Sequence, residues 1–327
     1  MKLFFIMINL SHQTGLKHFL LLLSFFLFTL NHATSNATMQ FSHNHFHYGA
    51  NLTPHPEKVY KGGEDAYFAN NYVLAVADGV GGNALSGIDP SEYSKTLCRL
   101  IGGFVNEGKP EFTNNPKKLI HEAAMNNPHR GTSTLAVAYL DRDAPILRTS
   151  YIGDTRYAIY RKIEGKWAIF YEAQEQQRRF NFPYQLGRQA DHPSVAWEFQ
   201  HEVQDGDIVV LASDGLFDNM YAQEVLEHLS KYINEEGEIK DPQTAVDELV
   251  KKAYDLSLDP NYDSPFQRRA KELRIIFQGG YPGGKSDDIT VIVAQVKLFK
   301  KGDDQILQDM GEGEEKPTMT VFGGDDL

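Results

Sequence analysis

Residues 71–82 read NYVLAVADGVGG, in which an apolar run, Val73 to Ala77, stops at an acid, Asp78, and passes at once into glycine. A β-branched run this short reads as a buried strand. Its end is the informative part. A carboxylate beside Gly79, Gly81 and Gly82, whose backbone can turn tightly or come close to a ligand, points to a cation or a phosphate.

Three other stretches share the design: GGEDAYF (62–68) carries Glu64 and Asp65, LASDGLFDNM (211–220) carries Asp214 and Asp218, and GGKSDDITVIV (283–293) carries Asp287 and Asp288. Each sets acid at a strand edge with glycine close by. Strand ends distant in sequence can converge on one rim of a sheet protein, and four carboxylates gathered there would repel one another by several kcal/mol unless cations neutralised them. A divalent metal centre is the economical explanation. Neither Cys nor His lies within the motifs, so oxygen ligands point to Mg²⁺ or Mn²⁺ rather than zinc. Two such ions sharing one carboxylate would hold a water in line with a bound phosphoryl group, giving hydrolysis without a protein nucleophile. Taken singly, each motif has a plainer explanation, since Asp-Gly is a turn signal and SDGLFDN also reads as a strand end followed by a capped helix. The four together point to a metal centre.

The chain has 327 residues, 41% hydrophobic and 23% charged, which is enough for one large core. Its net charge of −12, from 44 acids and 32 bases with no basic block, argues against nucleic acid as a partner. Cys98 is the only cysteine, which excludes an intrachain disulfide framework and a cysteine zinc site.

The ends differ from the body. Residues 1–38 read as a targeting or signal segment: KHFLLLLSFFLFTL (17–30) is a base followed by an apolar run, and NHATSNATMQ offers small residues suited to cleavage. The run is shorter than the roughly 20 residues of a membrane span. Export or signal anchoring, with transient membrane contact through this segment, is the first reading; the absence of acid before Glu57 also suits a mitochondrial presequence. His43, His45 and His47 alternate, which would put them on one face of a strand, but without an acid or cysteine in the same segment they read as part of an exposed polar lead-in. Residues 301–327 read as an acidic, disordered tail.

In the body, residues 39–300, STLAVAYLD followed by RTSYIGDTRYAIYRK reads as three adjacent strands, the last two joined by a hairpin at Gly153-Asp154. Helices are expected at PSEYSKTLCRLIGGF, NPKKLIHEAAMNN, DPQTAVDELVKKAYDLS and SPFQRRAKELRIIFQ, each with proline or an Asn, Asp or Ser cap at its start. Strands and helices come in blocks, so the fold class expected is α+β, with antiparallel sheets and helices packed outside.

The motifs GGEDAYF, VADGVGG, RGTSTLAVAYL, SYIGDTRYAIYR, GDIVVLASDGLFDNM and GGKSDDITVIVA, in that order over residues 62–296, resemble those of the metal-dependent protein phosphatases of type 2C. PHPEKVYKGGEDAYF, GIDPSEYSKTL, NFPYQLG and SPFQRRAKEL are similar to a narrower branch, typified by the mitochondrial T-cell activation phosphatase. The resemblance implies a central antiparallel β-sandwich flanked on both sides by helices, with two Mg²⁺ or Mn²⁺ ions at one end. By position, Asp78 would bridge both ions and act through the water between them. Glu64 and the Gly79 carbonyl would complete one shell, and Asp214 and Asp287 the other. Asp65 would hold a metal-bound water, Asp154 and Asp218 match acids that hold a weaker third ion, and Asp288 stays outside the shell.

Two departures stand out. Tyr60 occupies the place of a phosphate-gripping arginine, which leaves Lys58 and Lys61 as the nearest cations for phosphate binding. Val80 occupies the place of a histidine suited to protonating the leaving oxygen. No metal ligand is lost. The expected function is hydrolysis of phosphoserine or phosphothreonine in a phosphoprotein substrate by a monomer. The alternatives are a catalytically weak or silent regulatory module and a nuclease, the latter lacking a basic groove.

Overall fold

A computed structural model of the chain describes residues 43–277, 280–281, 283–299 and 320–322. Residues 1–38 and most of 301–327, read above as targeting segment and tail, lie outside the described residues. In chain order the strands are β1 (His45–Thr53), β2 (Asp65–Ala69), β3 (Val73–Gly79), β4 (Thr132–Leu140), β5 (Ile146–Ile152), β6 (Arg156–Ile163) and β7 (Lys166–Glu172). There follow β8 (Gln177–Arg179), β9 (Phe182–Pro183), β10 (Leu186–Gly187), β11 (Trp197–Glu202), β12 (Ile208–Ala212), β13 (Ile289–Lys297) and β14 (Thr320–Phe322). The helices are α1 (Pro90–Glu107), α2 (Pro116–Asn126), α3 (Asp214–Phe217), α4 (Ala222–Leu229), α5 (Pro242–Ser257) and α6 (Pro265–Glu272).

Two antiparallel sheets face each other. One runs β1-β13-β12-β6-β7, the other β11-β5-β4-β3-β2-β14 with β10 beside β4. Both faces of the central strands are covered, which is why they read as continuous apolar runs rather than alternating ones. Leu74 and Val76 of β3 point between the sheets with Leu211 and Ile292. Val73, Ala75 and Ala77 of the same strand point outward, onto Leu97, Ile101 and Leu119 of α1 and α2. On the far side Val210 and Val291 meet Leu226, Val246 and Leu249 of α4 and α5. The layers are therefore helix, sheet, sheet, helix, the α+β sandwich expected.

Helix starts follow their caps: Asp89, Asn115, Asp241 and Ser264 each accept a backbone N–H of the first turn, and a proline follows each. The helix begun by Ser264, α6, is shorter than expected. It ends at Glu272, because Arg274 takes φ +57, a left-handed conformation that stops the helix before Ile275.

Three further expectations are corrected. Gly153-Asp154 is no hairpin: β5 pairs with β4 and β11, whereas β6 pairs with β12 and β7, so the dipeptide carries the chain from one sheet to the other. Gly153 has φ +103, and a Cβ there would lie 2.4 Å from the Thr134 side chain, so the corner needs glycine as a hairpin would. The histidine segment is not an exposed lead-in, since β1 pairs along its length with β13 and buries Phe46. Its histidines do not converge: His43 contacts Asp143 at 3.1 Å, His45 the His43 carbonyl and His47 the Lys240 carbonyl. Finally, Thr320–Phe322 of the tail is a strand on β2, a β-prone tripeptide satisfying backbone groups that would otherwise form an open edge.

Candidate metal centre

The ends of five strands meet at one end of the sandwich. Asp65 opens β2 directly opposite Asp78 at the end of β3. The end of β12 lies beside the starts of β6 and β13, as Ala212 pairs with Arg156 and Val291. Asp214 begins α3 two residues beyond β12, Asp287 and Asp288 precede β13, and Asp154 sits in the cross-sheet corner. A hydrogen bond from Thr290 Oγ1 of β13 to Asp65 Oδ2, at 2.7 Å, ties the two sheets together at this rim.

Asp78, Asp154 and Asp214 each offer a carboxylate oxygen within 4.8 Å of the others. Like charges at that separation repel by about 3–4 kcal/mol per pair at an effective dielectric near 20. Burial, together with Asp65, Asp214, Asp287 and Asp154, raises the Asp78 carboxyl well above its usual range. Burial and the Asp288 charge do the same to Asp65, and burial and Asp214 to Asp154. Groups pushed this way favour a cation among them.

Ammonium groups supply part of that charge. Lys285 Nζ bonds Asp214 and Asp218, the latter at 2.6 Å, and lies 3.2 Å from Asp287. Burial alone would lower Lys285, but Asp214, Asp218 and Asp287 outweigh it and hold the ammonium well above the usual lysine range. Lys58 Nζ lies 2.7 Å from Glu64, 2.9 Å from Asp288 and 4.0 Å from Asp287. Lys61 Nζ lies 2.7 Å from Glu64 and 3.4 Å from Asp89. The two lysines read as phosphate-binding thus both rest on Glu64. Tyr60, in place of the arginine, points to solvent at 85% exposure.

Asp288 is a bracket rather than part of the cluster. It accepts from the backbone of His55 and Glu64 and from Lys58, fixing the loop that carries Glu64. Gly79 is required by close approach: its N–H donates to the Glu64 carbonyl at 3.1 Å, and a Cβ would come within 2.6 Å of that oxygen. Val80 continues into a short turn, Gly81–Ser86, through a bond to the Thr132 carbonyl at 2.9 Å.

Two buried oxygens, Asp65 Oδ1 and Asp214 Oδ1, accept no hydrogen bond. An orphaned carboxylate oxygen in an all-oxygen donor set fits a hard divalent cation. Lys285 escaped the sequence reading. Its signal was a base two residues before Asp287, but its partner Asp214 is 71 residues away.

A family model described as Stage II sporulation protein E (SpoIIE) matches residues 69–297. A probable protein phosphatase 2C 1 of Oryza sativa subsp. japonica is 32% identical over 82% of this chain and 81% of its own length. A protein phosphatase PTC7 homolog of Homo sapiens is 36% identical, covering 72% of this chain and 80% of its own. Among solved structures, the photosystem II phosphatase PBCP superposes with a TM-score of 0.68 at 32% identity, over 77% of this chain and 99% of that one.

Proposed function

The chain belongs to the metal-dependent protein phosphatases of type 2C, and on that premise we propose that its acidic rim hydrolyses phosphoserine and phosphothreonine in protein substrates. The observation that carries this reading is the meeting of Asp78, Asp154 and Asp214 at the ends of separate strands. Two Mg²⁺ or Mn²⁺ ions bound there would supply the charge that activates a water and offsets the phosphoryl oxygens. Asp78, Glu64 and the Gly79 carbonyl would hold one ion, and Asp78, Asp214 and Asp287 the other.

The remaining residues orient these ligands. Asp65, fixed by Thr290, faces Asp78 across the strands and can hold a water beside it. Asp288 and Lys58 fix the Glu64 loop. Lys61, whose second partner lies at 3.4 Å, is the cation more readily turned toward a phosphate. As a point charge it would grip less specifically than an arginine fork. The silent-module alternative has no missing acid to rest on, because Glu64, Asp78, Asp214 and Asp287 are all present.

For the compartment, similarity to a PTC7 homologue is in keeping with the branch resemblance and supports the mitochondrial reading. Imaging of a tagged full-length chain tests it. Function is tested by phosphate release from a phosphothreonine peptide by the full chain. Release should require Mn²⁺ or Mg²⁺ and stop on chelation; release that persists in chelator contradicts the proposal.

A further inference from the structure

Lys285 is built into the centre as a surface lysine would not be. Its backbone is clamped by buried Asn219, which donates from Nδ2 to the Lys285 carbonyl and accepts from the Lys285 N–H, both at 2.8 Å. Asn219 is itself anchored to the Gly215 carbonyl at 2.9 Å. The ammonium is thereby aimed at Asp214, Asp218 and Asp287, with the Phe266 ring 5.3 Å away on another side. An ammonium has three N–H donors, and three carboxylates stand around this one.

Asp214 is divided between two environments. Its Oδ2 takes Lys285, while its buried Oδ1 takes no hydrogen bond. Asp78 and Asp154 lie within ligand distance of Asp214. Asp218 likewise gives Oδ2 to the lysine.

We propose that Lys285 is a resident cation of the centre: its ammonium fills the space among Asp214, Asp218 and Asp287 and keeps a divalent ion out of it, confining such ions to the Asp78 side of Asp214. This rests on the reading of Asp78, Asp214 and Asp287 as ion ligands. Three acids facing one another with no base among them would need a cation from solution, so removal of the lysine charge should create a site and not merely weaken the fold. Covalent attachment makes this charge independent of metal supply.

The test is a titration of the full chain with Mn²⁺, following free ion by electron paramagnetic resonance, for wild type, Lys285→Met and Lys285→Met/Asp218→Asn. Lys285→Met should bind one more Mn²⁺ per chain than wild type, and its metal-free form should melt at lower temperature. The double variant, which removes one acid with the base, should lose the gained ion and recover part of the melting temperature. Lys285→Gln, whose amide can still donate to Asp218, replaces Lys285→Met if that variant does not fold. Equal stoichiometry and affinity in wild type and the neutral variants overturn the inference alone. Absence of Mn²⁺ binding in every protein overturns the ligand reading as well.

Discussion

Asp65 and Asp78 stand directly opposite each other across β2 and β3, one fully buried and the other at the rim, so two carboxylates share one strand end. Such an arrangement opposes folding and favours cation binding. Asp78→Asn should therefore raise the melting temperature of the metal-free chain while lowering Mn²⁺-dependent turnover at least about a hundredfold. Melting in chelator and phosphate release with Mn²⁺ read the two effects; a destabilised metal-free variant would count against stored repulsion.

Gly79→Ala acts through backbone. The added methyl carbon would lie 2.6 Å from the Glu64 carbonyl and 3.0 Å from that of Pro90, neither of which can rotate away. A cost of about 1–3 kcal/mol is expected from forced overpacking, together with weaker Mn²⁺ binding. Urea unfolding and a Mn²⁺ titration check both, and wild-type values in each would show that the strand end yields freely.

Far from the centre, Arg161 grips buried Asp207 through Nε at 2.9 Å and Nη2 at 2.6 Å, and its Nη2 also donates to the Glu202 carbonyl. Asp207→Ala leaves that guanidinium without its carboxylate and should cost about 3–5 kcal/mol in urea unfolding. Turnover per folded molecule should not change.

His201 gives the fold a pH dependence. Burial, with the Arg161 charge nearby, lowers its pKa from 6.5 to about 4, and its Nε2 pairs with the Tyr157 hydroxyl at 2.7 Å. Between these values the unfolded chain takes up the proton and the folded chain does not, so protonation favours unfolding. Its contribution to stability is whole above pH 6.5 and is lost as pH falls toward about 4. Melting temperatures across that window should fall less steeply for His201→Gln than for wild type; parallel curves would remove His201 from the account.

What was legible in the sequence was what local pattern controls. β3 and β12 could be read because apolar runs covered on both faces end abruptly on acids, and the helices because caps and prolines mark their starts. The corner at Gly153 could not, since a positive-φ glycine serves a hairpin and a cross-sheet turn alike, and only the partners of β5 and β6 distinguish them. β1 was obscured by histidines on its half-buried positions, although Phe46 between them is buried. In the candidate site the acids announced themselves by spacing from strands. Lys285 did not, because what gives it meaning is Asp214 and Asp218 arriving from another strand end.

Anomalous diffraction at the manganese edge, from crystals of the protein grown with Mn²⁺, shows whether the acids at this rim hold divalent ions. Peaks bounded by Glu64, Asp78, Asp214 and Asp287 are expected, together with their loss in Asp78→Asn. Manganese bound elsewhere, or an ion-free rim at saturating Mn²⁺, would contradict a metal centre at this rim.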